Sequence, residues 1–158
     1  MLDKMQDLVE QNDWTLFCRH YFQKCAAVNP ELATMIASAD LEYPTKRWFN
    51  SYARALKRAR KVNAAGLVLH CSEDFQLIFK AVSDEETLWI EQSGYKFFQL
   101  DELRDTDESD EVIQLLRARV VGCLVDLVMQ KKASDLTISI EFVGLDGVLH
   151  FPTHLLCS

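Results

Sequence analysis

The stretch 135-DLTISIEFVGLDGVLHF-151 decides the fold class. From Asp135 to Val143 apolar and polar residues alternate, with Leu136, Ile138, Ile140 and Phe142 on one side and Thr137, Ser139 and Glu141 on the other. A period of two is the signature of a half-buried strand. Gly144 and Gly147 then bracket a turn, and Val148–Phe151 reads as the returning strand of a hairpin, ended by Pro152. Immediately upstream, Asp110–Lys132 has a helical period, acids in its first turn and two lysines at its end, both favourable to the helix dipole. Its middle, Val120–Met129, is apolar almost all round, so this helix is expected to lie against the sheet.

Moving toward the N-terminus, four short apolar runs separated by turn residues follow one another: Gly66–Cys71, Phe75–Val82, Thr87–Gln92 and Tyr95–Leu100. Ser93-Gly94 between the last two is a two-residue hairpin signal. Tight turns imply antiparallel neighbours, so the four read as a meander.

Residues 1–63 carry the helical period instead. A short helix covers Leu2–Gln11. Asp13 caps a second, Trp14–Val28, whose residues Trp14, Phe17, Cys18, Tyr21, Phe22, Cys25 and Val28 share one face. Asn29-Pro30-Glu31 supplies an N-cap, a first-turn proline and an early acid for a third helix fading near Ser38. Pro44 is expected to separate it from a fourth, Thr45–Lys61, with Trp48, Phe49, Tyr52 and Leu56 inward. The expected fold is therefore α+β: one domain over 1–158, N-terminal helices (1–63), then an antiparallel sheet (64–158) built from a four-strand meander, a long helix and a C-terminal hairpin.

Composition limits the function classes. A chain of 158 residues with nearly half of them apolar can bury a core unaided. Five cysteines without a Cys-x-x-Cys pair point to a reducing compartment rather than a disulfide framework. No basic-then-apolar leader and no span-length apolar run occurs, so a cytoplasmic protein without membrane contact is expected.

Charge is unevenly placed. The net charge is −7, divided as +3 over residues 1–63 and −10 over the remainder. Between Lys46 and Lys61 lie Lys46, Arg47, Arg54, Lys57, Arg58, Arg60 and Lys61, with no acid among them. Arg47, Arg54, Arg58 and Lys61 line up along one side of a helix. Like charges four residues apart each cost roughly 0.2–0.5 kcal/mol in an isolated helix, so such a stripe calls for an anion nearby or a well-solvated face. The opposite concentration, Asp101, Glu102, Asp105, Asp107 and Glu108, lies in a loop before the long helix. Asp105-x-Asp107-x-Ser109 resembles the start of a calcium loop, but the sixth position is Asp110 and the twelfth Leu116, where glycine and glutamate belong.

Catalytic and cofactor motifs are lacking. There is no Gly-x-Ser-x-Gly elbow, no clustered glycines to cradle phosphate and no His-Glu-x-x-His; His70 and Cys71 are strand neighbours pointing to opposite faces. No cofactor and no metal are expected. The order of strands, long helix and hairpin over 66–151 resembles that of type III secretion chaperones, in element order and acidic composition alone. That likeness implies a small adaptor for a partner protein.

The expectation is a non-enzymatic protein-binding regulator: an inhibitor, an immunity-type protein or a secretion-chaperone-like adaptor. It would use Arg47, Arg54, Lys57, Arg58 and Lys61 and the acidic set Asp101, Glu102, Asp105, Asp107 and Glu108 for charge-complementary capture. A nucleic-acid binder using 45–61 is the alternative, opposed by the −10 on the remainder. A motif-free enzyme is the second alternative, and a homodimer stays open.

Overall fold

A computed structural model of the chain describes residues 2–11, 14–72, 75–84, 86–96, 110–131, 135–145 and 147–151. Its helices are α1 (Leu2–Glu10), α2 (Trp14–Val28), α3 (Pro30–Ser38), α4 (Glu42–Lys61) and α5 (Asp110–Gln130). Its strands are β1 (Gly66–Cys71), β2 (Gln76–Val82), β3 (Thr87–Lys96), β4 (Thr137–Phe142) and β5 (Leu149–His150). The α+β class stands, and the five strands form one sheet in the order β3-β2-β1-β4-β5.

The helix starts have local causes. Asn29 Oδ1 accepts from the Leu32 amide at 3.1 Å and Pro30 opens α3, as its residues foretell. Pro44 does not separate α3 from α4. It lies inside the first turn of α4, which begins at Glu42. First-turn amides have no intrahelical acceptor, so a proline there removes no bond. The proposed cap Asp13 lies outside the described residues.

Three cross-strand rows build the inner face: Ala81–Leu67–Ile138, Phe79–Leu69–Ile140 and Leu77–Cys71–Phe142. All nine residues are at most 3% exposed. The aromatic stripe of α4 packs over them. Tyr52 meets Phe79 at 6.4 Å between ring centroids, and its hydroxyl donates to the Lys131 carbonyl at the end of α5 at 3.0 Å. The Arg117 guanidinium of α5 stands 5.7 Å from the Phe142 ring centroid and donates to the Val143 carbonyl at 3.2 Å. α2 in turn packs along α5.

Two expectations about the sheet fail. The sheet is mixed, not antiparallel: β4 runs parallel to β1, in the register Gly66–Thr137 through Cys71–Phe142. With α5 packed over the inner face, the chain re-enters the sheet beside β1 in the direction of β1, as parallel neighbours require a long crossover. Nor does Ser93-Gly94 turn the chain. Thr87–Lys96 is one strand, and Ser93, Gly94 and Tyr95 stand opposite Leu77 alone, between the pairs Ile78–Gln92 and Gln76–Lys96. The residues form a bulge instead of a hairpin, which bends the strand and leaves it paired to β2. Of the expected strand Tyr95–Leu100, residues 97–100 lie outside the described ones. The C-terminal hairpin forms as foreseen, with φ of 84° at Gly144 and 97° at Gly147.

The parallel pairing has a checkable consequence at its first rung. A Cβ on Gly66 would stand 2.5 Å from Thr137 Oγ1 and 3.3 Å from the Thr137 carbonyl oxygen. Gly66→Ala is expected to destabilise by about 1–2 kcal/mol through overpacking. Adding Thr137→Ala removes the nearer contact and should restore at least half of that loss in urea unfolding. Strictly additive effects would contradict the β1–β4 register.

Candidate interaction surface

α4 and α5 cover one face of the sheet. On the other, Val68 and His70 of β1, Ile78, Lys80 and Val82 of β2, and Glu141 of β4 are half-buried, with Ser139 buried among them. Trp89, opposite Lys80 on β3, is 62% exposed.

His70 and Glu141 are directly opposed on the parallel ladder. The His70 Nδ1–H donates to Glu141 Oε1 at 2.5 Å, and Lys80 Nζ reaches the same oxygen at 3.4 Å. Partial burial pushes the Glu141 carboxyl up. The His70 hydrogen bond and the charge and hydrogen bond of Lys80 outweigh it, and hold the carboxyl below its usual range. This arrangement fixes the imidazole through Nδ1, but among the described residues no nucleophile hydrogen-bonds its Nε2.

At the β3 edge the parity of the strand changes. Trp89 opposes Lys80 on the open face, yet Glu91, two residues on, opposes Phe79 on the helix-covered face. The register shift between Phe79 and Lys80 makes Ile90 the extra residue of a bulge, and one extra residue reverses every side chain that follows. The Glu91 side chain, 11% exposed, is thereby delivered beneath α4. There Arg58 Nη1 lies 3.1 Å and Arg54 Nε 3.5 Å from Glu91 Oε2. The Arg58 Nη1–H points at the Ile90 carbonyl, 2.5 Å away, so the contact with Glu91 is ionic and Oε2 accepts no hydrogen bond. Arg60 forms a two-point pair with Asp135, Nε to Oδ2 at 3.0 Å and Nη2 to Oδ1 at 3.2 Å. That hydrogen bond, above all, holds the Asp135 carboxyl below its usual range.

The basic stripe of α4 is thus partly matched by the acidic half of the chain. Arg54 and Arg58 remain 55% and 57% exposed, so each still presents N–H groups to solvent. Lys57 and Lys61 are exposed and form no ion pair among the described residues. Arg47 is exposed near the other end of α4, about 16 Å from Arg58 along the helix axis. The acidic set Asp101, Glu102, Asp105, Asp107 and Glu108 lies outside the described residues. α4 packs along β3, the outermost of the described strands, which carries the exposed Trp89 on the open face and, at 39% exposure, Leu88 on the other.

Sequence reasoning missed Trp89 and Glu91. The alternation of Thr87–Gln92 marks a strand, but a bulge within it has no signature in residue type. Among the described residues no group of three His, Cys, Asp or Glu side chains is placed to hold a metal, and no helix is long and apolar enough to cross a membrane. Cys71 faces the core, and burial pushes its thiol up to about 12. No protein-family model, curated protein or solved structure matches the chain, so the likeness to secretion chaperones rests on element order and composition alone.

Proposed function

We propose that the protein is a non-enzymatic regulator that binds a partner protein at the flank where α4 meets β3. One observation carries this reading: the most exposed large apolar side chain among the described residues, Trp89, stands on the open face of β3, the outermost described strand, whose other face runs under α4 and its solvent-facing cations. Tryptophan and arginine are the side chains on which protein interfaces most often concentrate their energy. The complementary partner grips β3 from both faces, with an apolar pocket for Trp89 on the open face and carboxylates facing the α4 cations on the other. Charge complementarity accelerates its capture, and burial of Trp89 and Leu88 retains it.

The test uses Trp89→Ala and Lys57→Glu/Lys61→Glu, which touch exposed side chains only. Wild type and both variants are immobilised and exposed to extract of the native cell at low and high salt, and retained proteins are identified by mass spectrometry. The expected result is a protein held by the wild type, released by salt and lost by both variants. Identical retained sets on all three baits would overturn the reading. Salt-sensitive retention of DNA or RNA, and of no protein, would overturn it in favour of nucleic-acid binding.

A further inference from the structure

A second site lies away from the α4–β3 flank, in a groove between α2, α3 and α5, and does not depend on the reading above. The groove has a volume of about 330 Å³, at the lower end of the range for small-molecule sites. Its walls are Phe22, Ala37, Leu115 and Ala118, with Cys18 exposed at one side. The charged groups lining it are Arg19 and Arg119, and among the described residues no carboxylate does so. In a chain of net charge −7 that pairing of an apolar trough with two guanidinium groups is selective.

Arg119 is held in place before any ligand arrives. Its Nη2 donates to the Ala39 carbonyl beyond the end of α3 at 2.9 Å, while its Nε–H, shielded from water, has no acceptor. That Nε–H is out of a ligand's reach, but Nη1 takes part in no hydrogen bond among the described residues, and a guanidinium N–H forms a strong charge-assisted bond to a carboxylate. The geometry points to a single-chain apolar carboxylate as the ligand. Its hydrocarbon tail lies along Phe22, Leu115 and Ala118, and its carboxylate caps Arg119 with Arg19 as the second cation. The groove is short and is lined by few residues, which suits a free fatty carboxylate better than a docked peptide helix needing anchors along several turns.

The test titrates the whole chain with decanoate below its micellar range by calorimetry, with decanol as the uncharged tail of the same length. Saturable one-site binding of decanoate is expected, with decanol at least tenfold weaker. Arg119→Gln is expected to weaken decanoate by about tenfold to a hundredfold, the loss of a charge-assisted hydrogen bond, and to leave decanol unchanged. Since Arg119 also holds the Ala39 carbonyl, Arg19→Gln and Ala37→Trp serve as variants at exposed positions. The first should weaken decanoate several-fold, and the second should abolish binding of both probes by filling the trough. Equal affinity for decanoate and decanol, no binding, or full binding to Ala37→Trp would each overturn the assignment.

Discussion

Trp48→Ala is expected to destabilise the protein by about 3–5 kcal/mol, a large share of the roughly 5–15 kcal/mol that holds an ordinary domain folded. Trp48 is fully buried on the inner stripe of α4, together with Tyr52, Ala55, Leu56 and Ala59. That stripe joins the two halves of the molecule. It lies on the sheet through Tyr52 and Phe79, and it reaches α5 through the Tyr52 hydroxyl. A cavity at Trp48 cannot be filled by collapse of one small loop, because rigid elements surround it. Tyr52→Phe, which keeps the ring and loses only the bond to the Lys131 carbonyl, should cost about 1 kcal/mol. Urea unfolding followed by circular dichroism distinguishes the two. A Trp48→Ala midpoint equivalent to less than 1 kcal/mol of loss would show that α4 is not seated as described.

The second large effect concerns the carboxylate beneath α4. Glu91 is 11% exposed, and two arginines, each more than half exposed, supply its counter-charge. Removing either side of this cluster therefore has unequal consequences. Arg54→Ala/Arg58→Ala leaves a poorly hydrated carboxylate without compensation and should cost about 2–4 kcal/mol. Glu91→Gln leaves two cations that water already reaches, and should cost no more than about 1 kcal/mol. Combining all three substitutions should then be more stable than the double arginine variant, because the stranded charge is gone. Unfolding midpoints at constant denaturant slope decide this. If Glu91→Gln fails to rescue the arginine variant, Glu91 is hydrated and the cluster is an ordinary surface contact.

The same cluster explains how far the site could be read in advance. The stripe Arg47, Arg54, Arg58 and Lys61 is visible as residue spacing, since helical period places those positions on one side of α4 whatever surrounds it. Its neighbour across the flank is not visible. Glu91 looks like one more exposed acid in Thr87–Gln92, and Trp89 shares its parity, so simple alternation puts both on one face. The bulge at Ile90 sends Trp89 to the open face and Glu91 under the helix. His70, Lys80 and Glu141 are 61 or more residues apart in two of their three pairings and meet only because β1 lies between β2 and β4.

By itself the sequence determined the helices, most of the strands and the buried face of β4; of the face expected for α2, Cys18 and Val28 are exposed. α2 and α3 span the residues that helical period marks, α3 starting at its predicted Asn29 cap, and Leu136, Ile138, Ile140 and Phe142 are buried as their alternation requires. These are short-range matters, settled by backbone geometry and the transfer of apolar side chains from water. Tertiary structure alone decided that β4 pairs parallel to β1, that Ser93-Gly94 bulges instead of turning, and which carboxylates meet the cations of α4. A strand offers the same hydrogen-bonding edge to any partner in either direction, so pairing is chosen by where α5 packs and what its burial excludes.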